Sequence, residues 1–410
     1  MEEEIVIVGA GIAGLATSLG LHRLGIRSLV VESADSLRTS GFALGILTNG
    51  WRALDAIAIA DILRPKHHYL TGIVITTVNS GINTSELPFR AIDKQGDLEL
   101  RCVNRRVLLE TLENELPRGT IRYCSKVVHI ESEDRVKSVH LADGTVLKTK
   151  VLIGCDGVNS VVSQFLGFSK PSYAGRSAVR GFVFFEDGHG FEPKLMQFFG
   201  KGVRFGVVPC DDYEVYWFIT FSPSSQEKEM LEDPTKLRNL VLSKIGKVPD
   251  KIRHVIERSE LENMVCSPLR YRRPWELLWG NISKDNVCVL GDALHPMTPD
   301  LSQGGGAALE DSVVLARLLA EAFKGIGEDD DEHRRIQRAL ERFASERRWR
   351  SFDLIATAYF VGFMQQSENG VMRFLRDKLM AKFLAGLLLN KANFDCGDLT
   401  TASSSSCINN

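Results

Sequence analysis

The residues best suited to chemistry sit where apolar runs end. Ile5-Val6-Ile7-Val8 is followed at once by Gly9-Ala10-Gly11-Ile12-Ala13-Gly14, and a helix-compatible stretch continues from Leu15 to Leu24. In such a strand, turn and helix, Gly9 supplies the tight turn, Gly11 lets a phosphate approach the backbone, and Gly14 lets helix and strand pack closely. The free amides of the helix start can then accept the charge of a pyrophosphate. The next apolar run, Leu29-Val30-Val31, ends at Glu32, whose carboxylate suits the hydroxyls of an adenosine ribose better than a 2′-phosphate. These residues point to a bound dinucleotide and leave NAD and FAD both open.

Two later turns repeat the arrangement. Val151-Leu152-Ile153-Gly154 leads into Cys155-Asp156-Gly157, and Val287-Cys288-Val289-Leu290 leads into Gly291-Asp292-Ala293-Leu294-His295-Pro296. An ionised Asp156 or Asp292 accepts hydrogen bonds from hydroxyls and repels phosphate, and each also fits a loop cap. Arg105, at the start of a helix expected from about Asn104 to Leu116, has the charge to neutralise part of a pyrophosphate. Ser302-Gln303-Gly304-Gly305-Gly306 precedes a helix expected from Ala307 to Phe323, and main-chain donors of that glycine loop suit the negative charge of a reduced ring. His295 reads as a packed or flavin-supporting residue rather than a base. His67-His68 and the scattered histidines form no compact ligand set, and no nucleophile-elbow spacing occurs, so neither a metal nor covalent hydrolysis is expected.

These turns need elements to hold them, and the chain is long enough to supply them. With 410 residues, 44% of them apolar, it can bury more than one core. Lys and Arg total 50 against 52 Asp and Glu, a formal charge of -2, which gives no field for nucleic acid. Eight widely spread cysteines read as inert thiols of a reducing compartment, and the acidic Met1-Glu2-Glu3-Glu4 start lacks a targeting pattern, so a cytoplasmic protein is expected. No uncharged apolar run is long enough for an ordinary membrane span. Near the C-terminus Met372, Phe374, Leu375, Leu379, Met380, Phe383, Leu384 and Leu387 alternate with Arg373, Arg376, Asp377, Lys378 and Lys382. This amphipathic helix pattern fits packing on the protein itself, or a weak contact with a partner or a membrane surface.

The stretch from Ser177 to Phe221 is rich in aromatic and β-branched residues and reads as an antiparallel sheet with one covered face. A substrate pocket would draw on some of Phe182, Phe184, Phe198, Phe205, Val207, Tyr216, Trp217 and Phe218, which cannot all face one ligand because strand side chains alternate. Arg180, Arg204 and Tyr216 are the candidates for orienting a carboxylate or phenolate. The order of segments implies an interleaved architecture: a nucleotide-binding domain from residues 1–70, 101–175 and 283–325, and a sheet-rich substrate domain from 71–100 and 176–282. A helical region at 326–395 and a loose tail at 396–410 follow.

On Gly9, Gly11, Gly14 and Glu32, the Cys155-Asp156-Gly157 turn and Gly291-Asp292-Ala293-Leu294-His295-Pro296, the chain resembles the single-component flavin monooxygenases of the aromatic hydroxylase class. It looks closest to plant monooxygenases similar to salicylate hydroxylase. The resemblance implies an α/β fold in which a Rossmann-like FAD-binding domain is interleaved with a sheet-rich α+β substrate domain. It implies FAD held by Gly9, Gly11, Gly14, Glu32, Arg105, Asp156, Gly157, Asp292, Pro296, Gly304 and Gly305. It further implies NADPH or NADH as a transient reductant, with molecular oxygen and a hydroperoxyflavin hydroxylating a small aromatic or electron-rich molecule without an amino-acid nucleophile. Epoxidation of a terpenoid-like substrate and a non-catalytic flavin-binding redox sensor are the competing accounts. Two positions depart from the pattern. Ser163 stands where the family has an Arg, removing a charge, and Ser302 stands where it has a Gly, making the loop beside the ring less permissive.

Overall fold

The computed structural model describes residues 2–38, 42–77, 83–89, 98–133, 135–200, 202–325, 331–366, 386–387 and 389–399. Its first sheet is built on parallel strands. Glu2–Val8 lies at the centre, flanked by Leu29–Val31 and Val146–Gly154, with Ile121–Arg122 and Val287–Val289 outside them. Ile5, Ile7, Val151 and Ile153 are fully buried, as expected for strands covered on both faces. The chain leaves Glu2–Val8 toward one side and returns to the other, so the strand order reverses beside it, which is where open α/β sheets bind ligands.

The second sheet has seven strands, in the order Met264–Tyr271, Ser172–Phe184, Glu214–Phe221, Val203–Pro209, Lys194–Phe199, Gly72–Thr77 and Asn83–Pro88. Its two faces divide the aromatic residues. Phe198, Phe205, Val207 and Trp217 join Val179 and Ile219 under the helices Pro234–Lys244 and Asp250–Glu257. Phe182, Tyr216 and Phe218 belong to the opposite cluster, with Ala43, Leu47 and Cys102. Phe184 lies outside both, exposed and stacked on Tyr213.

Two local features differ from what the sequence pattern suggests, and a third expectation falls outside the described residues. The segment expected as a loop from Gly41 to Leu47 contains a strand, Ala43–Leu47, paired antiparallel with Leu100–Asn104. That pairing partner is distant in sequence, so local pattern could not reveal it. The glycines expected in a loop before Ala307 form the first turn of the helix Gly304–Phe323, where packing overrides their weak helix propensity. A side chain at Gly305 would meet Leu44 at 2.5 Å. The C-terminal amphipathic pattern lies, apart from Leu387, outside the described residues. Among the described residues no helix is long and apolar enough to cross a membrane.

Two buried ionic networks join these parts. In the helix Gly304–Phe323, consecutive Glu310 and Asp311 are fully buried. Asp311 accepts from the Gly291 amide at 2.9 Å and from His295 at 2.7 Å, and its other oxygen accepts from Arg347 at 2.6 Å. Glu310 pairs with Arg347 at 2.6 Å and Arg350 at 2.7 Å and accepts from Asn49, which also donates to Gln303 at 2.8 Å. In the second network Asp300, just before the glycine turn, takes Arg176 at 2.9 Å and Arg204 at 3.0 Å from two strands of the second sheet.

Burial alone would raise the Asp311 pKa, but His295 and Arg347 hold it at about 2. A carboxylate with a depressed pKa stabilises the fold above its ordinary value and loses that contribution as pH falls toward 2. Arg347→Met leaves two buried carboxylates short of a cation and is expected to lower folding stability by about 3–5 kcal/mol, measured by urea unfolding. A loss below about 1 kcal/mol would show that Glu310 and Asp311 do not need this partner.

Candidate active site

Register sets the site. Val8 stands opposite Val31 on one side and Gly154 on the other, and Gly154 stands opposite Val289. These four residues form one row across the parallel sheet, so the turns that follow them emerge at the same edge. Gly9, Glu32, Asp156 and Asp292 are therefore brought to one crevice although they are far apart in sequence.

Gly9 has φ +103°, which favours glycine, and a Cβ there would come within 2.6 Å of the Cys155 carbonyl oxygen. A Cβ at Gly14 would collide with the Gly9 carbonyl oxygen, whereas one at Gly11 would meet nothing within 4 Å. The helix Ile12–Arg23 thus starts tight against its strand and open on the crevice side. No side chain caps it and no acid occupies its first turn, which leaves its amides to an anion.

Glu32 is buried. One oxygen accepts from the Ala10 amide at 2.9 Å and the other from the Ala34 amide at 2.9 Å, which fixes the carboxylate against the glycine turn. A carboxylate has further lone pairs for ribose hydroxyls. Arg105 begins the helix Arg105–Asn114 and donates to the Arg38 carbonyl at 2.5 Å. Burial lowers its pKa, opposed by Asp292 first and then by Glu32, so the guanidinium senses both carboxylates. Asp292 keeps accessible surface, yet desolvation raises its pKa while His295, Arg180 and Arg105 lower it. Exposure with desolvation is what a residue on a cleft wall shows.

Asp156 divides its oxygens. Oδ2 accepts from the Val161 amide at 2.6 Å, at the first residue of the short helix Val161–Phe165 that Ser160 caps, while Oδ1 is buried with no hydrogen-bond partner among the described residues. Burial raises its pKa. Gly157 follows with φ +75°. The Pro296 carbonyl accepts from the Arg272 amide at 3.0 Å. Gly304 is open except for Met297, 3.9 Å from where its Cβ would lie, and Gly305 packs on Leu44. His295 is fully buried against Asp311, in keeping with the reading of a packed residue. Of the three groups weighed for orienting a substrate, Arg204 is taken by Asp300. The Arg180 side chain is half-buried and makes no hydrogen bond or ion pair among the described residues.

Sequence reasoning missed Arg272. Its guanidinium is buried over the Phe168 ring and donates to Ser163 Oγ at 2.9 Å and to the carbonyls of Leu294 at 2.7 Å and Ala293 at 3.0 Å. It also missed Asn49, Glu310, Asp311 and Arg347. Two adjacent acids amid the apolar residues of one helix were the available signal.

The FAD binding domain family matches residues 2–344. The chain belongs to this family. Monooxygenase 2 of Arabidopsis thaliana is 50% identical over 97% of this chain and 100% of its own length, and Monooxygenase 1 of the same plant is 37% identical over the same shares. The Klebsiella pneumoniae HpxO structure complexed with FAD and uric acid superposes with a TM-score of 0.80, covering 95% of this chain and 96% of that one at 22% identity. The chain is thus a flavoprotein monooxygenase of the aromatic-hydroxylase fold with plant relatives. The crevice fits the family's cofactor on its own terms: it offers an uncapped helix start, an orphaned Asp156 Oδ1 and an accessible Asp292.

The Arg105 helix depends on a histidine. His67 Nδ1 donates to the Leu63 carbonyl at 2.9 Å, and its Nε2 accepts from the amide of Asn104, whose side chain caps that helix. Accepting at Nε2 needs the neutral ring, and burial lowers the His67 pKa below 6.5. A base with a depressed pKa stabilises the fold above its ordinary value and loses this as pH falls, so FAD retention should weaken as pH drops below 6.5. Flavin fluorescence released during titration measures the effect, which should be absent in His67→Gln.

Proposed function

We propose that this monooxygenase uses NADPH or NADH and molecular oxygen to hydroxylate a small, electron-rich aromatic acid. The observation that carries the choice of substrate is Arg180, a half-buried cation without an ion-pair partner among the described residues, on the sheet face that bears Phe182, Tyr216 and Phe218 and within electrostatic reach of Asp292. A terpenoid-like substrate would give such a charge nothing to neutralise. FAD, when bound, supplies the electron transfer and oxygen chemistry.

The protein's part is to bind, orient and exclude water. Glu32 would hold the ribose hydroxyls, the amides after Gly11 would receive the pyrophosphate with Arg105 neutralising part of its charge, and Asp292 would accept from a cofactor hydroxyl. The first amides of the helix Gly304–Phe323 would favour negative charge on the cofactor when reduced. Asp156 would offer its free Oδ1 to a cofactor hydroxyl. Arg180 fixes the substrate carboxylate, and the aromatic wall keeps out water that would divert the oxygen to peroxide. A buried charge-assisted contact is worth about 1.5–3 kcal/mol, so Arg180→Met is expected to raise KM for an aromatic acid roughly 10- to 100-fold while changing kcat little.

The direct test follows NADPH and NADH oxidation, oxygen uptake and product mass under labelled oxygen, across aromatic acids and their neutral amides. The reading expects one labelled oxygen atom in product from an acid and little from its amide. Cofactor oxidation that yields peroxide with every acid in a broad panel would overturn it.

A further inference from the structure

The described residues place two thiols in contact at a point that the binding chemistry does not use. Cys102 lies in the strand Leu100–Asn104, which leads directly into Arg105, and Cys210 follows the strand Val203–Pro209 of the second sheet. They are 108 residues apart in sequence, and their sulfurs are 3.3 Å apart. Both are buried, at 1% and 0% exposure. Both act electrostatically on Tyr216, whose pKa burial pushes up to about 12. Tyr216 in turn lies against Phe42 and Phe218, with ring centroids at 6.4 Å and 6.0 Å.

We propose that Cys102 and Cys210 form a dithiol that hydrogen peroxide, released inside the neighbouring substrate cavity when turnover lacks a substrate, converts to a disulfide. The oxidant's source rests on the function proposed above; the thiol contact does not. One sulfur gives up its proton and attacks a peroxide oxygen, the O–O bond breaks, and hydroxide leaves to become water with that proton. The second sulfur then displaces hydroxide from the resulting sulfenic acid, the S–O bond breaks and the S–S bond forms. Two electrons pass from the sulfurs to one peroxide, giving two waters. The sulfurs must close from 3.3 Å to about 2.05 Å, a movement that side-chain rotation can supply.

Burial, and the hydrogen bond with Cys102, push the Cys210 thiol well up, so little thiolate is present and oxidants in bulk solvent react slowly. Peroxide made at the site proposed above would start against the aromatic face that includes Tyr216, which shares its cluster with both thiols. The new bond would tie the strand leading to Arg105 to the sheet that walls the cavity. Cys396 is also buried, with no thiol in contact among the described residues, and serves as the internal control.

The experiment uses the FAD-loaded full chain in two arms. In one, NADPH is oxidised without substrate in the presence of bulk catalase. In the other, hydrogen peroxide is added without NADPH. Differential alkylation and peptide mass spectrometry then read the thiols. The expected result is a Cys102–Cys210 linked peptide pair in both arms, two hydrogens lighter than the reduced pair and cleaved by dithiothreitol, with Cys396 free and no link in Cys102→Ala. Both thiols remaining alkylatable in both arms would overturn the dithiol. A link that forms only with added peroxide, although NADPH is consumed, would overturn the cavity source. If NADPH is not consumed at all, the proposed function fails, and the added-peroxide arm still decides whether the pair is a dithiol.

Discussion

Parallel hydrogen bonding sets Val31, Val8, Gly154 and Val289 in one row, and the candidate site follows from that row. Parallel strands run in one sense, so the residues that follow them, Glu32, Gly9, Asp156 and Asp292, must leave at one edge. A slip of one residue in any pairing would exchange the faces of that strand's side chains and carry its turn out of line. Ile5, Val6, Ile7, Val151, Leu152 and Ile153 are all fully buried, so a slip would also force both close-packed faces of the sheet to repack, and the apolar core thereby protects the register of the polar site.

The row supplies one wall, and the two ionic networks set the rest against it. Asp311 and Glu310 are adjacent in a helix, so their side chains diverge and reach different targets. Asp311 takes the Gly291 amide and His295, which fixes the turn carrying Asp292. Glu310 takes Asn49, and through it Gln303, which fixes the start of the glycine turn. Arg347 spans both acids from the helix Glu332–Gln366. Burying so many charges is costly, and well-packed apolar residues could stabilise the fold as well. What apolar residues could not do is hold two turns by their amide and side-chain hydrogen bonds. Asp300 serves similarly between the glycine turn and the second sheet, since Arg176 and Arg204 come from different strands of it.

The nucleotide side of the site was legible because its signals are local. A glycine turn after an apolar run, and an acid at the end of the next, can be read without knowing which strands pair. The interleaved α/β fold was legible for the same reason. The substrate side was not, because a strand's period of two shows that Phe182 and Trp217 need separate environments only once the pairing of Gly181 with Trp217 is known. Arg180 and Arg204 looked equivalent in sequence, and what separates them is Asp300, which lies close to Arg204 only in space. The strand Ala43–Leu47 was hidden because its order comes from Leu100–Asn104, and the helical state of Gly304–Gly306 because it comes from packing on Leu44 and Asn49.

The two departures from the family pattern show how far a motif can be judged by its own letters. Ser163 lacks the family's charge, yet its hydroxyl accepts from Arg272, which also holds the Ala293 and Leu294 carbonyls next to Asp292. A cation from another segment thus binds the two aspartate turns together. Ser302 adopts φ +54°, a left-handed conformation that favours glycine. Its side chain points toward strand Ala43–Leu47 at Gly45, where a Cβ would come within 3.3 Å of Ser302 Cβ. The glycine missing from the turn has a counterpart in the strand facing it. In both places the lost feature is met by a residue distant in sequence and adjacent in space, so the departures speak to packing around the crevice and carry no argument against a working flavin site.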